Sequence, residues 1–162
     1  MAAQFPDKNF IGVDIKGARM WVGAKQAIEN GLQNVAFLRT KVDFIDRLFA
    51  EHEVDEIWLT FSDPQPNKPN KRLTSKVFID RYRKILKPDG IVHLKTDSDI
   101  LFESTEFEIK NHGYEVHYLT WDLYQDIEKF PTKLQKILNI KTHYEALFTA
   151  KGSVIKYVQF KI

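Results

Sequence analysis

The 162-residue sequence predicts an open α/β sheet, mostly parallel, with an antiparallel strand near its C-terminal edge. Three observations lead there. Short apolar runs, too brief for helices, alternate with longer stretches of helical spacing. The runs are rich in large and β-branched residues, as strands covered on both faces are. Two final strand-like runs, separated by an irregular segment, are placed to pair antiparallel at one edge.

Phe10 to Asp14 is the first such run and ends in an acid. Gly17 to Asn30 carries Met20, Trp21, Ala24, Ala27 and Ile28 at helical spacing, and Asn30-Gly31 stops it. Asn34 to Leu38 is a second strand. Asp43 to Phe49 is a short helix with Phe44, Ile45, Leu48 and Phe49 inward. Val54 to Phe61 is a third strand. Ser62 to Asn70, with three prolines, is a loop. Ser75 can cap a helix to Leu86 whose apolar stripe is Phe78, Tyr82, Ile85 and Leu86, ended by Pro88-Asp89-Gly90. Ile91 to Lys95 is a fourth strand. Asp99 can cap a helix that stops at His112-Gly113. Tyr114 to Thr120 is a fifth strand. The stretch 121–139 is irregular with one short helix, Thr142 to Ala150 is another helix, and Val154 to Ile162 is the last strand.

The length suits a single domain spanning residues 1–162. Hydrophobic residues at 43% and aromatics at 13% are too many for a disordered chain. The absence of cysteine excludes disulfides and thiolate metal sites. The five histidines show no metal-ligand spacing, so no metal is expected. No apolar run approaches the roughly 18–20 residues of a membrane span, and the start lacks a signal-peptide layout. No membrane partner and a cytoplasmic location are the expectations. The net charge of +2 is unevenly spread. Lys68 to Lys87 holds eight basic residues and one acid, about +7, which leaves about −5 elsewhere. Such a segment suits a local contact with a polyanion; a solvated helix face with a lysine-rich loop would look the same.

In open α/β sheets ligands bind beyond the carboxyl ends of the strands. Three strands end there in acids: Asp14, Asp63 and Asp97. Carboxylates gathered on one rim repel each other, so they favour facing a ligand. Asp14 stands where a carboxylate can accept both hydroxyls of a ribose; its other reading is a helix cap. Asp63 precedes Pro64, which keeps it out of helical geometry; its other reading is an Asx turn. Asp97 could equally cap the next turn. None of the seven glycines forms G-x-G. Either the ligand is not a nucleotide, or the first strand and its glycine-rich turn are missing.

The motifs resemble one family. Asn9-Phe10-Ile11-Gly12-Val13-Asp14-Ile15, Asp55 to Pro64, Lys71-Arg72-Leu73-Thr74, Leu94-Lys95-Thr96-Asp97, Thr142-His143-Tyr144-Glu145 and Lys151-Gly152 follow the order of the bacterial tRNA (guanine-N7-)-methyltransferases. The resemblance covers almost the whole chain. It implies a Rossmann-like class I methyltransferase sheet, S-adenosyl-L-methionine as cofactor and tRNA as partner, with methylation at N7 of a guanosine in the variable loop. It also implies a member lacking about its first 50–60 residues, the first strand and glycine-rich loop included.

By resemblance, Asp14 and Asp63 contact the cofactor and Asp63 is catalytic. Asp97, Thr142 and Glu145 contact the substrate. Lys68 stands one residue beyond the family's substrate lysine, whose place Asn67 takes. Gln65 replaces a frequent tryptophan, and Lys41 falls where many members carry an acid near the adenine. Lys68, Lys71 and Arg72, with Arg81, Arg83 and Lys84, would hold tRNA phosphates. The alternative is a non-catalytic tRNA-binding remnant of the fold.

Overall fold

Apolar runs that can pleat and amphipathic segments that can coil sort themselves into six strands and five α-helices among the described residues. The computed structural model describes residues 1–150 and 152–162, without the side chains of 143, 144, 147 and 148. The chain forms two units, residues 1–48 and 49–162.

In the first unit, strands β1 (Phe10–Asp14) and β2 (Val35–Arg39) pair in parallel, with Asp14 opposite Arg39, and are joined by helix α1 (Gly17–Glu29). Glycine matters at two places. A Cβ on Gly12 or Gly23 would stand 3.0 or 2.8 Å from the Phe37 ring, so only their bare backbones admit it. The Asn34 amide donates to the carbonyls of Ala2, Phe5 and Lys8, tying the N-terminal segment to the start of β2. The segment expected to be a short helix near residue 45 is a 3₁₀ turn, Val42–Arg47. Three residues per turn present a narrower face than an α-helix. Ile45 is therefore buried, while Phe44 and Leu48, expected inward, are exposed.

The second unit contains β3 (Val54–Thr60), α2 (Lys76–Ile85), β4 (Leu86–Thr96), α3 (Asp99–His112), β5 (Glu115–Thr120), α4 (Thr132–Leu138), α5 (His143–Ala150) and β6 (Lys156–Lys161). The strand order is β3-β4-β6-β5. β3 and β4 are parallel. β6 is reversed between β4 and β5 and antiparallel to both, which is the predicted pairing of the last two strands. Side chains alternate along β4. Val92 and Leu94 point to one face and His93 and Lys95 to the other, and all four are buried. Leu123, Phe130, Leu138, Ile155 and Tyr157 form a core cluster, flanked by Trp58, Phe61, Tyr118 and Tyr124. The Trp58 and His93 rings stack at 3.7 Å. Helices α2 and α3 bury Phe78, Ile79, Tyr82, Ile85, Leu101, Phe102 and Ile109, which include three of the four stripe residues read from the sequence; the fourth, Leu86, is buried as the first residue of β4.

Three local readings change. Pro88-Asp89-Gly90 does not end α2. The helix closes at Ile85, and these residues form an irregularity inside β4, where Val54 pairs with Leu86 and Glu56 already with Ile91. A bulge tolerates the missing proline N–H. Ser75 stands at the start of α2, but its hydroxyl donates to the Asn70 carbonyl. Ser98, not Asp99, caps α3, its Oγ accepting from the Leu101 N–H at 3.2 Å. A short side chain in extended backbone geometry reaches that donor best. Ser98→Ala should therefore lower stability by about 1 kcal/mol in chemical denaturation, and Ser98→Asp should restore it. No loss in the alanine variant would refute the cap.

Candidate functional site

Parallel β3 and β4 end side by side, with Thr60 opposite Lys95. The loops carrying Asp63 and Asp97 therefore leave the same edge of the second unit's sheet. β6 starts at that edge, since Lys156 pairs with Thr96. The α5 N-terminus also reaches it through Glu145, which meets Lys95 at 2.7 Å. The structure thus brings Asp63, Asp97, Thr142 and Glu145 to one rim. Asp14 ends β1 in the first unit.

The Asp63 loop is held in an unusual shape. Phe61 and Gln65 adopt φ of 51° and 45°, in the left-handed region. Neither is glycine, and each such residue costs about 1–3 kcal/mol that surrounding contacts must offset. At the loop's start the Phe61 N–H donates to the Lys95 carbonyl at 2.9 Å. Asp63 makes the Asx turn, its Oδ1 accepting from the Gln65 N–H at 2.9 Å. Asp63 itself remains exposed, so its second oxygen can still accept a donor. From below, the Arg72 guanidinium donates to the Pro64 carbonyl at 2.9 Å and to that of Pro66 at 3.4 Å.

The Asp97 loop is fixed from another side. Lys156, only 7% exposed, donates to the Asp97 carbonyl at 2.9 Å and pairs with the Asp99 carboxylate. The Ser98 N–H donates to Thr96 Oγ1. Asp97, Asp99, Trp121, Ser153, Val154 and Lys156 line an open cleft of about 460 Å³.

Thr142 and Glu145 form a capping box at the head of α5. The Glu145 N–H donates to Thr142 Oγ1 at 3.1 Å, and the Thr142 N–H donates to Glu145 Oε2 at 3.2 Å. The other carboxylate oxygen, Oε1, takes Lys95 Nζ and the Tyr124 hydroxyl. Lys95 also donates to the Leu138 carbonyl at the end of α4, at 2.7 Å. Burial pushes the Lys95 ammonium below the ordinary lysine value, and the Glu145 carboxylate acts against that. Tyr124 is pushed up, first by burial and then by its bond to Glu145. Glu145 is 0% exposed, so the expectation of direct substrate contact meets a carboxylate already satisfied inside the protein.

The basic segment divides in two. Lys76 and Arg83 pair with Asp80, and Lys87 pairs with Asp55 at 2.6 Å. Arg81 lies over the Phe78 ring and Arg83 over Tyr114. Lys68 and Lys71 are exposed on the loop side.

Asp14 is 34% exposed. Its Oδ1 accepts from the Lys16 N–H at 2.9 Å, and Arg19 stands 3.8 Å from Oδ2. Lys16, not Asp14, is the first cap residue of α1, so the helix-cap reading is replaced by a turn bond that leaves carboxylate lone pairs for a diol. No group of three or more His, Asp or Glu side chains among the described residues is arranged to hold a metal, and no described helix is long and apolar enough to cross a membrane.

Lys95 and Lys156 are the residues that the sequence left without a role. The signal for Lys95 was a lone charge inside a run that the fold covers on both faces, which demands a buried partner. Lys95→Met strands the Glu145 carboxylate without its cation and should cost about 3–5 kcal/mol in denaturant unfolding. Adding Glu145→Gln should recover much of that loss. A single variant as stable as the wild type would contradict the network.

A family model described as "Putative methyltransferase" matches residues 1–158. A tRNA (guanine-N(7)-)-methyltransferase of Bacteroides thetaiotaomicron is 52% identical over 162 residues, covering 100% of this chain and 62% of that protein. One from Christiangramia forsetii is 46% identical, covering 100% of this chain and 71% of that protein. The chain thus spans about 62% of the length of the Bacteroides relatives. A SAM-dependent methyltransferase structure from Aquifex aeolicus aligns with a TM-score of 0.61 at 11% identity, covering 94% of this chain and 68% of that one, a likeness of fold. On its sequence the chain belongs to the tRNA (guanine-N(7)-)-methyltransferase family.

Proposed function

We propose that this protein methylates N7 of a guanosine in the variable loop of tRNA, in the cytoplasm, with S-adenosyl-L-methionine as methyl donor. The observation that carries this reading is the exposed Asp63 in its braced loop, on the same strand edge as Asp97 and beside exposed lysines. The acceptor chemistry of Asp14 fits the hydroxyls of the cofactor's ribose: a partly exposed carboxylate at a strand end with lone pairs to spare. When bound, S-adenosyl-L-methionine supplies an electrophilic methyl group.

Guanine N7 is a lone-pair acceptor at the major-groove edge and needs no deprotonation before it attacks. The protein's task is then alignment and exclusion of water. Asp63 orients the guanine edge and balances the positive charge that grows on the ring. It is a catalytic residue by position and charge, with no proton to remove. Asp97, in the lining of the cleft, and Thr142, at the head of α5, contact the substrate. Glu145 acts through Thr142, by fixing the head of α5 with its capping box. Lys68 and Lys71 hold tRNA phosphates, which sets register without reading sequence.

Asp63→Ala in the full-length protein should lower methyl transfer to tRNA at least about 100-fold while tRNA affinity stays within about threefold. Normal turnover by that variant would reject the assignment. Lys68→Ala and Lys71→Ala should each weaken tRNA binding and make the salt dependence shallower by about 1 in log–log slope. Unchanged slopes would remove the loop from the tRNA site.

A further inference from the structure

We propose that Arg72 is a positioning residue that clamps the Asp63 loop and is not a phosphate ligand; the proposal rests on the role of Asp63 given above. The loop has an unusual need for an outside donor. Pro64, Pro66 and Pro69 carry no N–H, so three of its backbone donors are gone. Within the loop the Gln65 N–H donates to Asp63 Oδ1 at 2.9 Å, the Lys68 N–H to the Gln65 carbonyl at 3.1 Å and the Lys71 N–H to the Lys68 carbonyl at 2.8 Å. The carbonyls of Pro64 and Pro66, which follow Asp63, are met by Arg72 Nε at 2.9 Å and Nη2 at 3.4 Å.

The clamp has a fixed frame to pull against. The Arg72 N–H donates to the Pro69 carbonyl at 3.0 Å, and the next residues lead straight into α2, with Thr74 bonded to Thr105 at 2.7 Å. Thr74 is buried and Arg72 is half-buried. The guanidinium therefore spans from a rigid helix start to the two carbonyls that set the φ-positive turn at Gln65. Its planar fork makes two divergent bonds that a lysine ammonium cannot reproduce with the same geometry. Charge alone would suffice at a phosphate, and shape is required at this clamp.

Arg72→Lys separates the two roles because it keeps the charge and removes the fork. In the full-length protein, the proposal predicts a kcat at least about tenfold lower, with KM for tRNA within about threefold and the salt slope of tRNA binding unchanged. It also predicts that the Gln65 amide exchanges its hydrogen at least about tenfold faster in the free protein, a reading that needs no activity. Arg72→Lys with wild-type kcat and wild-type exchange would overturn the clamp. So would Arg72→Ala with a salt slope shallower by about 1 and an unaltered kcat, the behaviour of a phosphate ligand. Methyl transfer absent from the wild type would sink the proposed function, and the exchange measurement would still decide the clamp.

Discussion

The rim of the second unit is organised around a buried ion pair. Lys95 and Glu145 are 4% and 0% exposed in their side chains and meet at 2.7 Å. Neither charge could remain there alone, because an unpaired buried ion is far more costly than its pair. The pair is closed by the Tyr124 hydroxyl and the Leu138 carbonyl, so it joins the end of β4, the segment after β5, the end of α4 and the head of α5. The same strand end supplies the Lys95 carbonyl to Phe61 and the Thr96 hydroxyl to Ser98. Both acid-bearing loops therefore take their position from the last two residues of β4. A buried pair of this kind adds little net stability, but it fixes which elements meet.

The cationic side chains of the chain differ in burial. Lys95, Lys156 and Arg72 bond to carbonyls and carboxylates of the protein itself, and they hold loops. Lys68 and Lys71 are exposed on the loop that follows Asp63. The cations of α2 and of the start of β4 lie between these extremes, with Lys76, Arg83 and Lys87 in exposed ion pairs of small energetic weight. The basic stretch of about +7 is thus not one surface. Its loop portion is the part that proposed tRNA phosphates would meet, and the remainder is partly neutralised, by Asp80 on the helix and by Asp55 at Lys87 in β4.

Much of the fold was legible because it depends on local pattern. The strands beginning at Phe10 and Val54 and the stripe of α2 follow from branched runs and helical spacing, and Gly113, at φ 65°, marks the stop of α3. Asp63 and Asp97 were legible for the same reason, since parallel β3 and β4 bring them to one edge. What was hidden depends on contacts far apart in sequence. Nothing near Glu145 says that its partner stands 50 residues earlier, nor does the Lys71-Arg72 pair reveal that the second member turns back to Pro64. Ser98 outcompetes Asp99 as cap because Asp99 is drawn to Lys156 on β6, a neighbour that only the sheet order supplies. The Thr-x-x-Glu spacing at 142–145 did carry a local meaning, the capping box, beside the one that the resemblance implied.

The account stands on the identity of the chemical product. The direct measurement is mass-spectrometric analysis of nucleosides from unmodified tRNA incubated with the full-length protein and methyl-labelled S-adenosyl-L-methionine. The account predicts label in N7-methylguanosine alone, located in the variable loop. Label at another base or ring position, or none in tRNA, would contradict it.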